Sequence, residues 1–197
     1  IAKYDFTGYI NNINAAYTQV LVEYGANNKI TASYEYGVFR ESAEIDGKDY
    51  FYEYDGKGSV VAVSNSSGSE VATYRYDAFG NTTAFGIAIA NHFKYNGEYT
   101  DDATNLQYLR ARYYRAETGS FITADTYTGN ITSPLSLNRY TYVHNNPVMG
   151  KDPSGHFGII FWTAVVVAAL TVTATGVNHY NKYVSAPKVQ QQNRELV

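Results

Sequence analysis

Short runs in which aromatic or β-branched residues alternate with polar ones dominate the first half of the chain, and each run is broken by Asp, Asn or Gly. Tyr52-Glu53-Tyr54-Asp55-Gly56-Lys57-Gly58 and Tyr74-Arg75-Tyr76-Asp77-Ala78-Phe79-Gly80 share the form Y-x-Y-D-x-x-G and lie 22 residues apart. Weaker copies stand at Tyr34-Glu35-Tyr36-Gly37 and Phe93-Lys94-Tyr95-Asn96-Gly97, and Tyr4-Asp5-Phe6-Thr7-Gly8 reads as the end of another. A period of two marks a strand with one buried face. Asp55 and Asp77 can accept backbone N–H groups at the strand ends, and Gly58 and Gly80 supply the positive φ of a turn. Val60–Ser64 then reads as a return strand, Asn65–Gly68 as a turn, and Glu70–Tyr74 as the next strand. The pattern predicts a run of β-hairpins and an all-β fold.

Composition sharpens this picture. Of 197 residues, 21 are Tyr, an amphipathic strand former that suits half-wet sheets. The even spread of Tyr over the repeats favours a scaffold over a local carbohydrate platform. With no Cys, disulfides, thiol nucleophiles and Cys-ligated zinc are excluded. Lys and Arg number 15 against 18 Asp and Glu, a net charge of −3 that argues against a nucleic-acid partner. The four histidines are scattered, so no metal site and no cofactor is expected. The chain opens at Ile1 without a basic n-region or an apolar h-region, which reads as a piece of something longer.

Further along stand Tyr108-Leu109-Arg110-Ala111-Arg112-Tyr113-Tyr114, Gly119-Ser120-Phe121-Ile122-Thr123-Ala124-Asp125, Asn138–Pro147 ending in Asn145-Asn146-Pro147, and Asp152-Pro153-Ser154-Gly155. With the repeats, this series resembles the Rhs family of bacterial polymorphic toxins. The same repeat occurs in the C subunits of insecticidal toxin complexes and in wall-associated YD-repeat proteins of Gram-positive bacteria. The resemblance covers about residues 1–155. It implies that residues 1–92 are YD repeats winding as a β-strip into the end of a shell, and that 93–155 are the Rhs-associated core that plugs it. Residues 156–197 would be the variable C-terminal tail.

The resemblance also implies an aspartyl self-cleavage site. Two carboxylates sharing one proton supply an acid and a base, because like charges at close range raise one of the two pKa values. Asp125 and Asp152 match the family's two positions, which would place the cut between His156 and Phe157. Arg112 and Arg139 are the basic residues placed to hold a carboxylate, with Pro147, Pro153 and Gly155 as supporting motif residues. Thr126 stands where the family has Pro, the interval of 27 residues is a few longer than usual, and His156 replaces the usual Leu. The alternative is that both aspartates simply cap turns.

After Gly155 the character changes. Gly158–Val177 is twenty residues without a charge, long enough to span a membrane and equally able to lie hidden in a shell interior, and 178–197 is polar. The tail holds no clustered acid–base set, so any enzyme here is an autoprotease acting once on its own chain. The expected function is the C-terminal shell and plug of a secreted or cell-surface toxin that encapsulates an effector. Its expected partners are upstream YD repeats or a companion shell chain, the effector, an immunity protein, and a target membrane through 158–177. The competing reading is a non-cleaving adhesin that binds carbohydrate.

Overall fold

The structure is a computed structural model describing residues 7–156, together with the backbone of residues 159–160. Phe157, Gly158, the tail over 161–197 and the Tyr4–Phe6 part of the first repeat copy lie outside the described residues. The fold is all-β. Eight strands form one antiparallel sheet in strict sequence order: β1 (Thr7–Asn12), β2 (Gln19–Gly25), β3 (Ile30–Tyr36), β4 (Arg40–Ile45), β5 (Lys48–Tyr54), β6 (Val60–Asn65), β7 (Glu70–Tyr76) and β8 (Thr82–Gly86). Among the described residues helical structure is confined to single 3-10 turns, and no helix is long and apolar enough to cross a membrane.

The turn chemistry repeats along the sheet. Asp55 Oδ1 accepts the amides of Lys57 and Ser59, both at 2.8 Å, and Gly58 has φ +84. Asp77 Oδ1 does the same for Phe79 at 2.9 Å and Asn81 at 3.0 Å, with Gly80 at φ +96. Asn65 builds the identical turn, its Oδ1 taking the amides of Ser67 and Ser69 at 3.0 Å. An amide oxygen serves as well as a carboxylate here, because the turn needs only a short side-chain acceptor.

Both tyrosines of each Y-x-Y unit share one face of the sheet, as a period of two requires. Tyr34, Tyr52 and Tyr74 are buried in a core with Ala32, Ala43, Ile45, Val60, Val63 and Ala72. The second tyrosines are half-buried, and each donates its hydroxyl to a carbonyl at the start of the preceding strand. Tyr36 reaches Val20 at 2.9 Å, Tyr54 reaches Arg40 at 2.6 Å, and Tyr76 reaches Val60. The ring thus fills the core while its polar tip ties neighbouring strands together.

Phe93, from the segment after β8, closes this core and holds a buried cation. The Arg40 guanidinium carbon lies 3.2 Å from the Phe93 ring centroid, with the rings of Tyr34 and Tyr36 each at 5.1 Å. It donates to the Tyr36 hydroxyl, and the facing π-clouds offset much of its desolvation.

A second, smaller sheet follows in the order β12-β11-β10-β9, with β9 (Tyr99–Thr100), β10 (Leu106–Leu109), β11 (Arg112–Arg115) and β12 (Ser120–Phe121). Its own core is Tyr95, Leu109, Tyr114, Phe121 and Tyr142. Tyr95 and Tyr114 donate to the carbonyls of Ala78 and Phe79, at 2.9 and 2.7 Å, and so clamp the Asp77–Gly80 turn from the other side.

Candidate functional site

The hairpin between β10 and β11 turns on two residues, Arg110 and Ala111, with Leu109 paired to Arg112. Asp152–Gly155 runs along this turn and is held to it residue by residue. Arg110 Nη1 donates to the Pro153 carbonyl at 2.6 Å and to Glu98 Oε2 at 2.8 Å, and the Ala111 amide donates to Ser154 O at 3.3 Å. Burial pushes the Glu98 carboxyl up, against the pull of the adjacent Arg110. Gly155, at φ +72, lies against the Leu109 carbonyl and the Arg112 amide.

Arg112 is the hub. Its side chain is buried, its guanidinium lies 3.5 Å from the Phe121 ring centroid, and every nitrogen of the fork is used. Nε donates to Gly155 O, Nη1 to Arg139 O at 2.9 Å, and Nη2 to Asp125 Oδ2 at 2.8 Å, with Asp152 Oδ2 at 3.8 Å from that same nitrogen. Two carboxylates 27 residues apart in sequence are thereby brought onto one guanidinium. Burial pushes the Arg112 pKa down, while the two aspartates pull it back up.

The two aspartates are held differently. Asp152 Oδ1 accepts from Ser154 N at 3.1 Å, Ser154 Oγ at 2.9 Å and Gly155 N at 2.8 Å, so it caps the turn that follows it. Asp125 Oδ1 accepts the Tyr127 amide at 3.0 Å and faces His156 Nδ1 at 3.3 Å. Burial works against the Asp125 carboxylate, but the Tyr127 N–H, His156 and Arg112 outweigh it and hold its pKa below the ordinary value. A cleft of about 40 Å³ opens among Arg112, Asp125, Tyr127, Arg139, His144, Asp152 and His156, room for a water molecule.

Not every sequence-selected residue serves the carboxylates. Arg139 holds no side-chain acid. It donates from Nε at 2.8 Å and from Nη2 to the main-chain carbonyl of Asp125, while the Asp125 amide donates to Arg139 O at 2.9 Å. This reciprocal backbone tie leaves both carboxylates to Arg112. Pro147 lies away from the cleft, its carbonyl accepting from Lys57 Nζ. The clamp of Glu98 and Arg110 was not singled out from the sequence: Arg110 stands within the Tyr108–Tyr114 motif, but nothing in that motif points to Glu98. Among the described residues no three His, Asp or Glu side chains converge as a metal set.

The depressed Asp125 pKa fixes the sign of an acid effect. Stability from this group is present above the unfolded-state pKa, about 4, and is lost as pH falls through the lower folded value. The urea midpoint of the parent chain should therefore fall more steeply across that window than that of Asp125→Asn. Equal acid slopes would show that Asp125 is not held in its charged form.

A second, larger cleft of about 780 Å³ lies between β1–β4 and the small sheet, with the exposed rings of Tyr9, Tyr17, Phe39, Tyr108 and Tyr113 in its lining.

A family profile described as the Teneurin YD-shell matches residues 16–148. The chain belongs to the YD-shell family. The match takes in β2–β8 of the large sheet, the small sheet and Asp125, and stops just ahead of the Asp152–Gly155 turn. The chain is 42% identical over 158 residues to the tRNA3(Ser)-specific nuclease WapA of Bacillus spizizenii, and 41% over 155 residues to the tRNA nuclease WapA of Bacillus subtilis. Each alignment covers 76% of this chain and 6% of the relative, so the chain spans a small part of those proteins. A structure of the Photorhabdus luminescens Tc holotoxin pore matches in fold, with a TM-score of 0.56 and 20% identity over 78% of this chain and 8% of that one. The YD-shell of this chain is thus built like those of Rhs-type toxin proteins.

Proposed function

We propose that this YD-shell segment is the closing end of a shell in a secreted or surface-exposed bacterial toxin, and that the chain cuts itself once, after His156. In this reading 93–155 form the plug, upstream repeats continue the wall beyond β1, and the segment after the cut is a C-terminal effector with its own immunity partner. The observation that carries it is the meeting of Asp125, Asp152 and His156 around Arg112. A base, a buried cation and room for a water molecule stand beside the residue that precedes the expected cut. In outline, water adds to the His156 carbonyl as a carboxylate takes its proton, and the amine of Phe157 leaves with a proton from the site. The test is the denatured intact mass of the full-length parent beside Asp125→Asn and Asp152→Asn. A break after His156 in the parent, lost in both variants, is the expected result. An unbroken parent reduces both aspartates to turn caps.

The large cleft favours one other reading, a carbohydrate-binding surface protein. Its exposed rings are concentrated, unlike the inward-facing tyrosines of the repeats, and pyranose faces stack on such rings.

A further inference from the structure

We infer that the large cleft between β1–β4 and the small sheet takes an acidic sugar chain, with pyranose faces on its exposed rings and a carboxylate among its cations. The inference rests on the reading of this cleft as a carbohydrate site and adds the charge of the ligand.

The charge comes from three separate parts of the chain. Arg40 opens β4, Arg110 sits on the β10–β11 turn, and Lys151 precedes the Asp152–Gly155 turn; all three line the cleft. The lining holds two acids, Glu98 and Asp101, so cations are in excess there although the chain as a whole carries −3. Asp101 is turned to its own loop, where Oδ1 accepts the amides of Ala103 at 2.7 Å and Thr104 at 3.1 Å. Glu98 is left to face Arg110, Lys151 and Arg40 together, and one carboxylate cannot neutralise three cations. Arg40 is only 6% exposed, and its Nε and Nη2 share the Tyr36 hydroxyl. Among the described residues no carboxylate stands within ion-pair distance of it. The rings around Arg40 offset part of its desolvation, and an anion in the cleft would offset more.

Two buried polar atoms of the lining also lack a protein partner, the Arg110 Nε donor and the Asn96 Oδ1 acceptor. A carboxylate offers what the first lacks and a hydroxyl what the second lacks. A sugar acid carries both groups.

The rings supply the rest of the site. Tyr108 and Tyr113 are paired across the β10–β11 hairpin with centroids 5.3 Å apart, and they line the cleft with Tyr17 and Phe39. All four rings are exposed. Such surfaces take the C–H face of a pyranose, and about 780 Å³ is the size of a small-ligand site. A neutral sugar would use the rings and leave the cations in excess. An acidic peptide would use the cations but brings no rigid C–H face to the rings.

The test is calorimetric titration of the full-length parent with trigalacturonate, with its methyl ester and with a triglutamate peptide. The ester keeps the rings and removes the charge, and the peptide keeps the charge without the rings. The acid should bind about tenfold or more tighter than the ester, as charge-assisted contacts do. That gap should shrink in high salt. Lys151→Gln should narrow it as well, whereas Tyr108→Ala with Tyr113→Ala should weaken acid and ester together. The salt series and the exposed ring pair carry the test even where Lys151→Gln unfolds. Equal binding of acid and ester overturns the charge assignment and leaves the sugar site standing. Binding of neither removes both readings of the cleft. A peptide that binds as tightly as the sugar acid overturns the sugar assignment, and so does acid binding that none of the variants changes.

Discussion

Arg112→Leu should cost the chain about 3–5 kcal/mol, the penalty for stranding buried charges by removing their only shared partner. Among the described residues the guanidinium is the one group that reaches Asp125, Asp152 and the carbonyls of Gly155 and Arg139 together. Without it, two buried carboxylates lose their counter-ion and two carbonyls lose a donor. Arg112→Lys should recover little, because a single ammonium cannot replace a planar fork that bonds in three directions. The decisive comparison is the triple variant Arg112→Leu, Asp125→Asn, Asp152→Asn. Removing both charges along with their partner should recover most of the loss, since the Asn side chains still accept the turn hydrogen bonds. Equilibrium urea unfolding reads all three. If Arg112→Leu falls within about 1 kcal/mol of the parent, as exposed pairs do, the buried hub does not exist.

The hairpin sheet was legible because its determinants are local. Alternation sets which face is buried, and Asp55 or Asp77 followed three residues on by glycine sets the turn. The Asn65 turn obeys the same rule, although a motif written with Asp does not name it. The cation at Arg40 was not legible. Its cage draws rings from β3, β5 and the segment after β8, and no window of sequence shows that Tyr34, Tyr52 and Phe93 converge. Asp125 and Asp152 were reached through a resemblance, since nothing in the spacing of two turn aspartates predicts a shared guanidinium. Arg139 shows the limit of reading charge from sequence: its charge was visible, but the carbonyl it binds is placed by tertiary folding. His156 entered only as the residue before a bond, and its contact with Asp125 depends on the path of the Asp152–Gly155 turn.

That path hangs on Gly155, and substituting it should be the most damaging single-methyl change in the site. Gly155 has φ +72, a region that costs a side-chain-bearing residue about 1 kcal/mol or more. A methyl there would also overlap the Leu109 carbonyl oxygen and stand 3.0 Å from the Arg112 amide nitrogen. Both are backbone atoms of the β10–β11 hairpin, so neither can rotate aside. Gly68→Ala separates the two effects, because Gly68 has a similar φ of +77 with nothing within 4 Å of the added carbon. Gly68→Ala should cost about 1 kcal/mol, and Gly155→Ala about 3 kcal/mol or more, as overpacked backbone does. The larger loss should come with withdrawal of His156 from Asp125, so the acid dependence conferred by Asp125 should weaken in the same variant. If the two alanine variants unfold at the same urea concentration, the hairpin does not press on Gly155. The turn that presents His156 would then owe its position to Arg110 and Arg112 alone.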